Sequence, residues 1–249
     1  MFKLTVITIS VSFISFIATT DSAQAVTSIR ITYNEYQINY PESIDFQLGV
    51  SSDQAITEIK FLYSLSDKPV QIYGYPEFAS GRDVLAKYSI RTRGANFLPA
   101  GVEIKYFYLI KVSSGTVLKT DVSTITYLDP SYNWNQSSYG DLILIWHDIP
   151  EDDVRKILLL SKTRIEAAAV IFRLPQVKPI RAVVFNDRDE SQRGMPFVSY
   201  ASSRHQLFRG FAFPEFNQFL LEGLNEDGIV HESIHLLMKQ STTSPFAKV

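Results

Sequence analysis

The sequence predicts two kinds of architecture in one chain: an all-β first half of the immunoglobulin- or fibronectin-like sandwich type, then an α+β second half. Three observations carry this. Between Ser28 and Asp129 about seven short stretches alternate apolar and polar residues, with turn clusters between them. After Gly140 the period changes, and strand-like runs alternate with helical ones. Near the C-terminus, His231-Glu232-Ser233-Ile234-His235 sets two histidines one helical turn apart.

The elements follow in chain order. Lys3 gives a short positive start, Leu4 to Ala18 is almost wholly apolar or Ser/Thr, and Ala23-Gln24-Ala25 has the A-x-A form of a cleavage site. Residues 1–25 therefore read as a secretory signal peptide cleaved before Val26, and the chain as exported. No other stretch approaches the roughly 18 apolar residues that span a bilayer. The 249 residues carry a formal charge of −2 and 45% hydrophobic residues. That balance gives no basic excess for nucleic acid and no acidic tail. There is no cysteine, so the fold rests on its core and any metal ligands come from His, Asp or Glu.

Residues 26–130 are expected to form the β-sandwich. Ile29, Ile31 and Tyr33 alternate with polar residues, as do Ile38 and Tyr40, and Ile44, Phe46, Leu48 and Val50 keep the same period. Ile56 to Tyr63, Val84 to Arg91, Ile104 to Val112 and Val117 to Tyr127 follow. Residues 131–140 are polar with aromatics and read as a linker. Residues 141–249 open on the buried-type strand Leu142 to Trp146, then a helix from about Pro150 to Phe172. Pro150 suits its first turn, and Glu151, Asp152 and Asp153 suit the positive end of its dipole. Ile180 to Phe185 is a strand, and Asp187 opens a long polar loop whose acidic residues lack the glycine of a calcium loop. Phe211 to Pro214 and Phe219 to Leu221 are strand pieces, and a helix from about Glu226 to Lys239 carries the histidines.

The motif implies definite chemistry. On one helix face His231 and His235 can bind one zinc ion, Zn2+, which would lower the pKa of a bound water. Glu232 lies between them as the candidate catalytic base. His147 and His205 read as surface or loop residues. A catalytic zinc needs a third protein ligand, and after His235 the sequence has no Asp, Glu, His or Cys. Glu222, Glu226 and Asp227 are the nearby acids, none at an established ligand position.

The Gly210-Phe211-Ala212-Phe213-Pro214 stretch, the following strand, and the motif with Pro245-Phe246 resemble the peptidase MA-like family of gluzincins. Leu98-Pro99-Ala100-Gly101, Tyr106-Phe107-Tyr108 and the Tyr132/Trp134 linker resemble that family's accessory β-domain. The resemblance implies a thermolysin-like (zincin) catalytic domain, zinc as cofactor, and hydrolysis of a peptide or protein substrate. It also implies that His231 and His235 are metal ligands and Glu232 is the base. The family's third ligand, a Glu in a Trp-x-x-Glu-Gly-like helix, would lie beyond Val249, so the domain is expected to be C-terminally incomplete. The alternative is a non-catalytic exported β-sandwich binding protein with a remnant metal-binding helix. Tyr33, Tyr36, Tyr40, Tyr73 and Tyr75 are then candidates for an aromatic contact surface.

Overall fold

A computed structural model describes residues 28–66, 68–69, 71–196 and 209–243. The signal-peptide segment and His205 lie outside the described residues. The described residues are predominantly β and build two sheets, one of seven strands and one of five.

The first sheet is organised by one long strand, β2 (Ser43–Leu65), of 23 residues. Along its first part it pairs antiparallel with β1 (Ile29–Asn39) and with β4 (Gly81–Arg91). Along its second part it pairs with β3 (Ile72–Gly74) and with β5 (Glu103–Val112). The register with β4 shifts between Ser51 and Ile56, and that with β5 between Ile56 and Glu58. Such irregularities bend a strand and increase its twist, and here β2 passes from one set of partners to the other. β5 goes on to pair with β6 (Val117–Lys119) and β7 (Ser123–Thr126). The sheet thereby curls around one core that includes Ile44, Phe46, Leu48, Phe61, Ile104 and Tyr108. The alternation at Ile44, Phe46 and Leu48 places these three on its inner face, each at most 1% exposed.

At one end of this core the Tyr127 hydroxyl lies 3.1 Å from the Pro41 carbonyl and 3.0 Å from Thr92 Oγ1. Burial pushes its pKa up to about 12, against the lowering effect of the Thr92 hydrogen bond. An unfolded tyrosine titrates near 10. The stabilisation is therefore whole below pH 10 and is lost as pH rises through the folded value. Alkaline unfolding followed by circular dichroism should set in above about pH 10, and Tyr127→Phe should flatten the slope there. An unchanged slope in that variant would contradict this assignment.

The second sheet has the order β11-β12-β10-β9-β8. β9 (Leu142–Trp146), β10 (Ile180–Phe185) and β12 (Gln218–Glu222) run parallel at its centre. β8 (Asn135–Tyr139) and β11 (Gly210–Phe213) are antiparallel edges. The central strands read as unbroken apolar runs because both faces are covered. Leu144, Trp146, Ala182, Val184, Phe219 and Leu221 face the helices α1 (Glu151–Ile171) and α3 (Glu226–Thr243). Ile145, Val183, Phe185 and Leu220 face the other way and join a core with Ala100, Phe97 and Leu128 from the first half. A short helix, α2 (Arg188–Gly194), follows β10.

Two expectations are corrected here. The first half forms one hydrogen-bonded sheet curled on itself rather than two stacked sheets, because β2 runs unbroken between both sets of partners. The second half is not a thermolysin-like α+β domain. Its five-stranded sheet packs directly on the 97–101 loop of the first half, so the molecule is a mostly β protein with two joined sheets. The polar stretch expected to be a linker supplies strand β8. Among the described residues, no helix is long and apolar enough to cross a membrane.

Candidate functional site

The histidine motif lies on α3, and the local sequence explains the helix. Asn225 caps its start: its Oδ1 accepts from Gly228 N at 2.7 Å and its carbonyl from Ile229 N at 3.2 Å. Glu226 and Asp227 occupy the favourable first turn and bind Arg164 Nη1 of α1 at 2.9 and 2.7 Å. Ile229, Val230, Leu236 and Leu237 bury one side of α3 in the helix–sheet core. At the far end Gln240 accepts from Lys178 N at 2.9 Å and donates to Asn217 Oδ1 at 2.8 Å. The opposite face is left to solvent, and His231 and His235 are both exposed there.

The two imidazoles meet as the i, i+4 spacing requires. Their Nε2 atoms are 3.2 Å apart and the rings are nearly perpendicular, at 81°. At this distance one ring donates an N–H to the other. The separation also suits a shared ion: nitrogens bound to one tetrahedral zinc at about 2.0–2.1 Å lie roughly 3.3 Å apart. The donor set therefore fits two positions of a zinc site.

Glu232 points elsewhere. It is 8% exposed, and a Cβ at Gly210 would lie 2.5 Å from its Oε1 and 2.8 Å from its Cδ. Gly210, the first residue of β11, thus makes room for this carboxylate against the sheet edge. Burial raises the Glu232 pKa, while the charges of His231 and His235 oppose the shift. The motif suggested Glu232, but the matching glycine had no signal beyond its place before a strand.

The acids that could have completed a metal site are committed elsewhere. Glu226 and Asp227 bind Arg164, and Glu222 Oε2 accepts from Ser191 Oγ at 3.2 Å. Among the described residues no group of three His, Cys, Asp or Glu could hold a metal ion. Asp187, expected to open a polar loop, caps α2 by accepting from Glu190 N at 3.0 Å.

His147, expected to be a surface or loop residue, lies in the bend after β9 but not at the surface. It is fully buried, stacked on Tyr132 at 4.1 Å and edge-on to Trp134 at 4.6 Å. Its Nδ1 lies 2.9 Å from Asp148 Oδ2 and its Nε2 3.1 Å from Glu190 Oε2. This ring locks the 130–134 segment onto the ends of β9 and β10 and is a packing element.

No family model and no curated protein matches this chain. Some solved structures share part of it at low similarity. A Br derivative of BhCBM56 is 8% identical with a TM-score of 0.27, covering 37% of this chain and 88% of that one. OgpA from Akkermansia muciniphila, in complex with an O-glycopeptide (glycodrosocin) substrate, is 11% identical with a TM-score of 0.31. That match covers 42% of this chain but only 30% of the OgpA chain. The putative ApaA protein from Bordetella pertussis is 10% identical with a TM-score of 0.25, covering 42% and 94%. Similarity at this level establishes neither a shared fold nor a shared activity. The resemblance to the peptidase MA-like gluzincins is corrected on these findings. No family model supports it, the architecture is mostly β, and the described residues offer no three-ligand metal group. The identification as a zinc metallopeptidase, a hydrolase of that family, falls with it.

Proposed function

We propose that this chain is an exported, β-rich binding protein whose helix α3 carries a two-histidine zinc site. The observation that supports the site is the pair of exposed imidazole nitrogens at 3.2 Å on α3, a spacing one zinc ion would bridge. His231 and His235 would be the ligands. Glu232, turned onto Gly210, would not coordinate. Two protein ligands give a weak site with the remaining positions open to small ligands.

Isothermal titration of the purified chain with zinc chloride tests this. The expected result is one weak site per chain, with affinity reduced by about tenfold or more, at least 1.4 kcal/mol, in His231→Ala and in His235→Ala. Glu232→Gln should bind zinc as the parent does. Undiminished binding in the double histidine variant, or no binding by the parent chain, would overturn the assignment.

A further inference from the structure

The first sheet has an opening that its core does not fill. A cleft of about 350 Å3 lies between the middle of β1 and β7, lined by Asn34, Glu35, Tyr36, Tyr106, Ser123 and Thr124 among others. The volume falls at the lower end of the range for small-molecule clefts, roughly 300–1,000 Å3. Tyr36 is opposite Phe46 in the β1–β2 register, and their ring centroids are 6.5 Å apart. Phe46 is a core residue at 1% exposure, yet Tyr36 is 48% exposed. An aromatic ring on the core-facing side of a sheet is thus presented to the cleft and not covered by packing.

The groups around that ring define a ligand class. Tyr106 forms part of the wall and is itself buried, at 3% exposure. Asn34, on the strand face of Tyr36, and Ser123, paired with Tyr106, bring an amide and a hydroxyl, and among the described residues no Lys or Arg lines the cleft. The Glu35 carboxylate is turned to the other strand face, where it accepts from the Tyr33 hydroxyl at 2.8 Å. A wall without cations does not select phosphate or other anions. An aromatic face beside clustered neutral donors and acceptors matches a ligand with one apolar face and a ring of hydroxyls.

We propose that the cleft between β1 and β7 is a saccharide-binding site, with Tyr36 as the stacking platform and Asn34 and Ser123 as hydroxyl partners. This rests on the binding-protein reading above but not on the histidine pair. It differs from the exposed pair Tyr73 and Tyr75, which lie beside the Lys60 ammonium, with Nζ 4.1 and 5.9 Å from their ring centroids.

Affinity gel electrophoresis of the full chain in hydroxyethyl cellulose, xylan, galactomannan and soluble starch tests the proposal. At least one polymer should retard the chain. Tyr36→Ala should weaken that binding by about tenfold or more, Tyr36→Phe should retain it, and Tyr73→Ala should leave it unchanged. The double variant Asn34→Ala/Ser123→Ala provides a second reading should Tyr36→Ala fail to fold by circular dichroism. No retardation by any of the four polymers overturns the proposal. So does retardation unaffected by Tyr36→Ala and the double variant, or lost only in Tyr73→Ala. Binding of an extended peptide to the β1 edge, with no saccharide response, also overturns it. Zinc titration of the same samples separates the two readings, since Tyr36→Ala should not alter the helix site.

Discussion

His147→Ala should lower the melting temperature by about 10 °C, because truncating a fully buried aromatic ring costs roughly 3–5 kcal/mol. The ring is stacked on Tyr132 and edge-on to Trp134, so its loss leaves a cavity where two elements meet. The polar loss adds to this. Glu190 Oε2, which accepts from Asn186 N at 2.9 Å and faces His147 Nε2 at 3.1 Å, would keep only the first partner. A carboxylate mostly withdrawn from solvent and deprived of a donor is penalised further. Thermal unfolding monitored by near-ultraviolet circular dichroism reads the effect through the Tyr132 and Trp134 signals. A shift below about 2 °C, under 1 kcal/mol for a chain of this size, would mean that the ring is not part of the lock.

The second large effect is expected at Gly101, where the two sheets meet. Its φ is +90°, and a Cβ there would lie 2.5 Å from Val183 Cγ2. The backbone cannot move away easily. Gly101 N donates to the Tyr127 carbonyl at 2.7 Å, and Gly101 O accepts from Arg181 Nη1 at 2.7 Å. Arg181 is held in turn by Glu103 Oε1 at 2.5 Å. Gly101→Val combines strained backbone with overpacking, together about 3 kcal/mol or more, and should lower the melting temperature by roughly 6–12 °C. Gly115 is the control. Its φ is +88° with nothing within 4 Å of where a Cβ would stand, so Gly115→Val carries the backbone strain alone. Equal losses in the two variants would show that the Val183 contact contributes nothing to the junction.

These two positions also show what the sequence could reveal. The alternation at Ile44, Phe46 and Leu48 predicted a strand, and those residues lie in β2. Acidic residues behind Pro150 predicted a helix start, and α1 begins at Glu151. Local periodicity says nothing of how strands join, however. The patterns from Ser43 onward looked like two strands, whereas the chain keeps hydrogen bonding through the bend as one strand of 23 residues. This is why a sandwich of separate sheets was expected and a curled sheet is found. Strand β8 was missed because Asn135-Gln136-Ser137-Ser138-Tyr139 is an edge with little burial, which leaves no apolar period to detect. Helix α2 is seven residues long, too short to show one.

The candidate site was legible in part for the same reason. The spacing of His231 and His235 fixes their meeting on one helix face whatever surrounds the helix. The surroundings are tertiary. That Glu226 and Asp227 would be drawn to Arg164 from α1, 62 and 63 residues away in sequence, could not be read from the motif. Nor could the burial of His147, whose partners come from three separated segments. The family resemblance rested on short local patterns, and such patterns recur on unrelated architectures.

The most direct test of the two-histidine site is a crystal structure of the zinc-soaked chain with anomalous data collected at the zinc edge. One peak is expected within bonding distance, about 2.0–2.1 Å, of both His231 and His235 Nε2, with Glu232 still against Gly210 and no third protein ligand. A peak elsewhere, none at the pair, or an ion completed by a third protein side chain would contradict it.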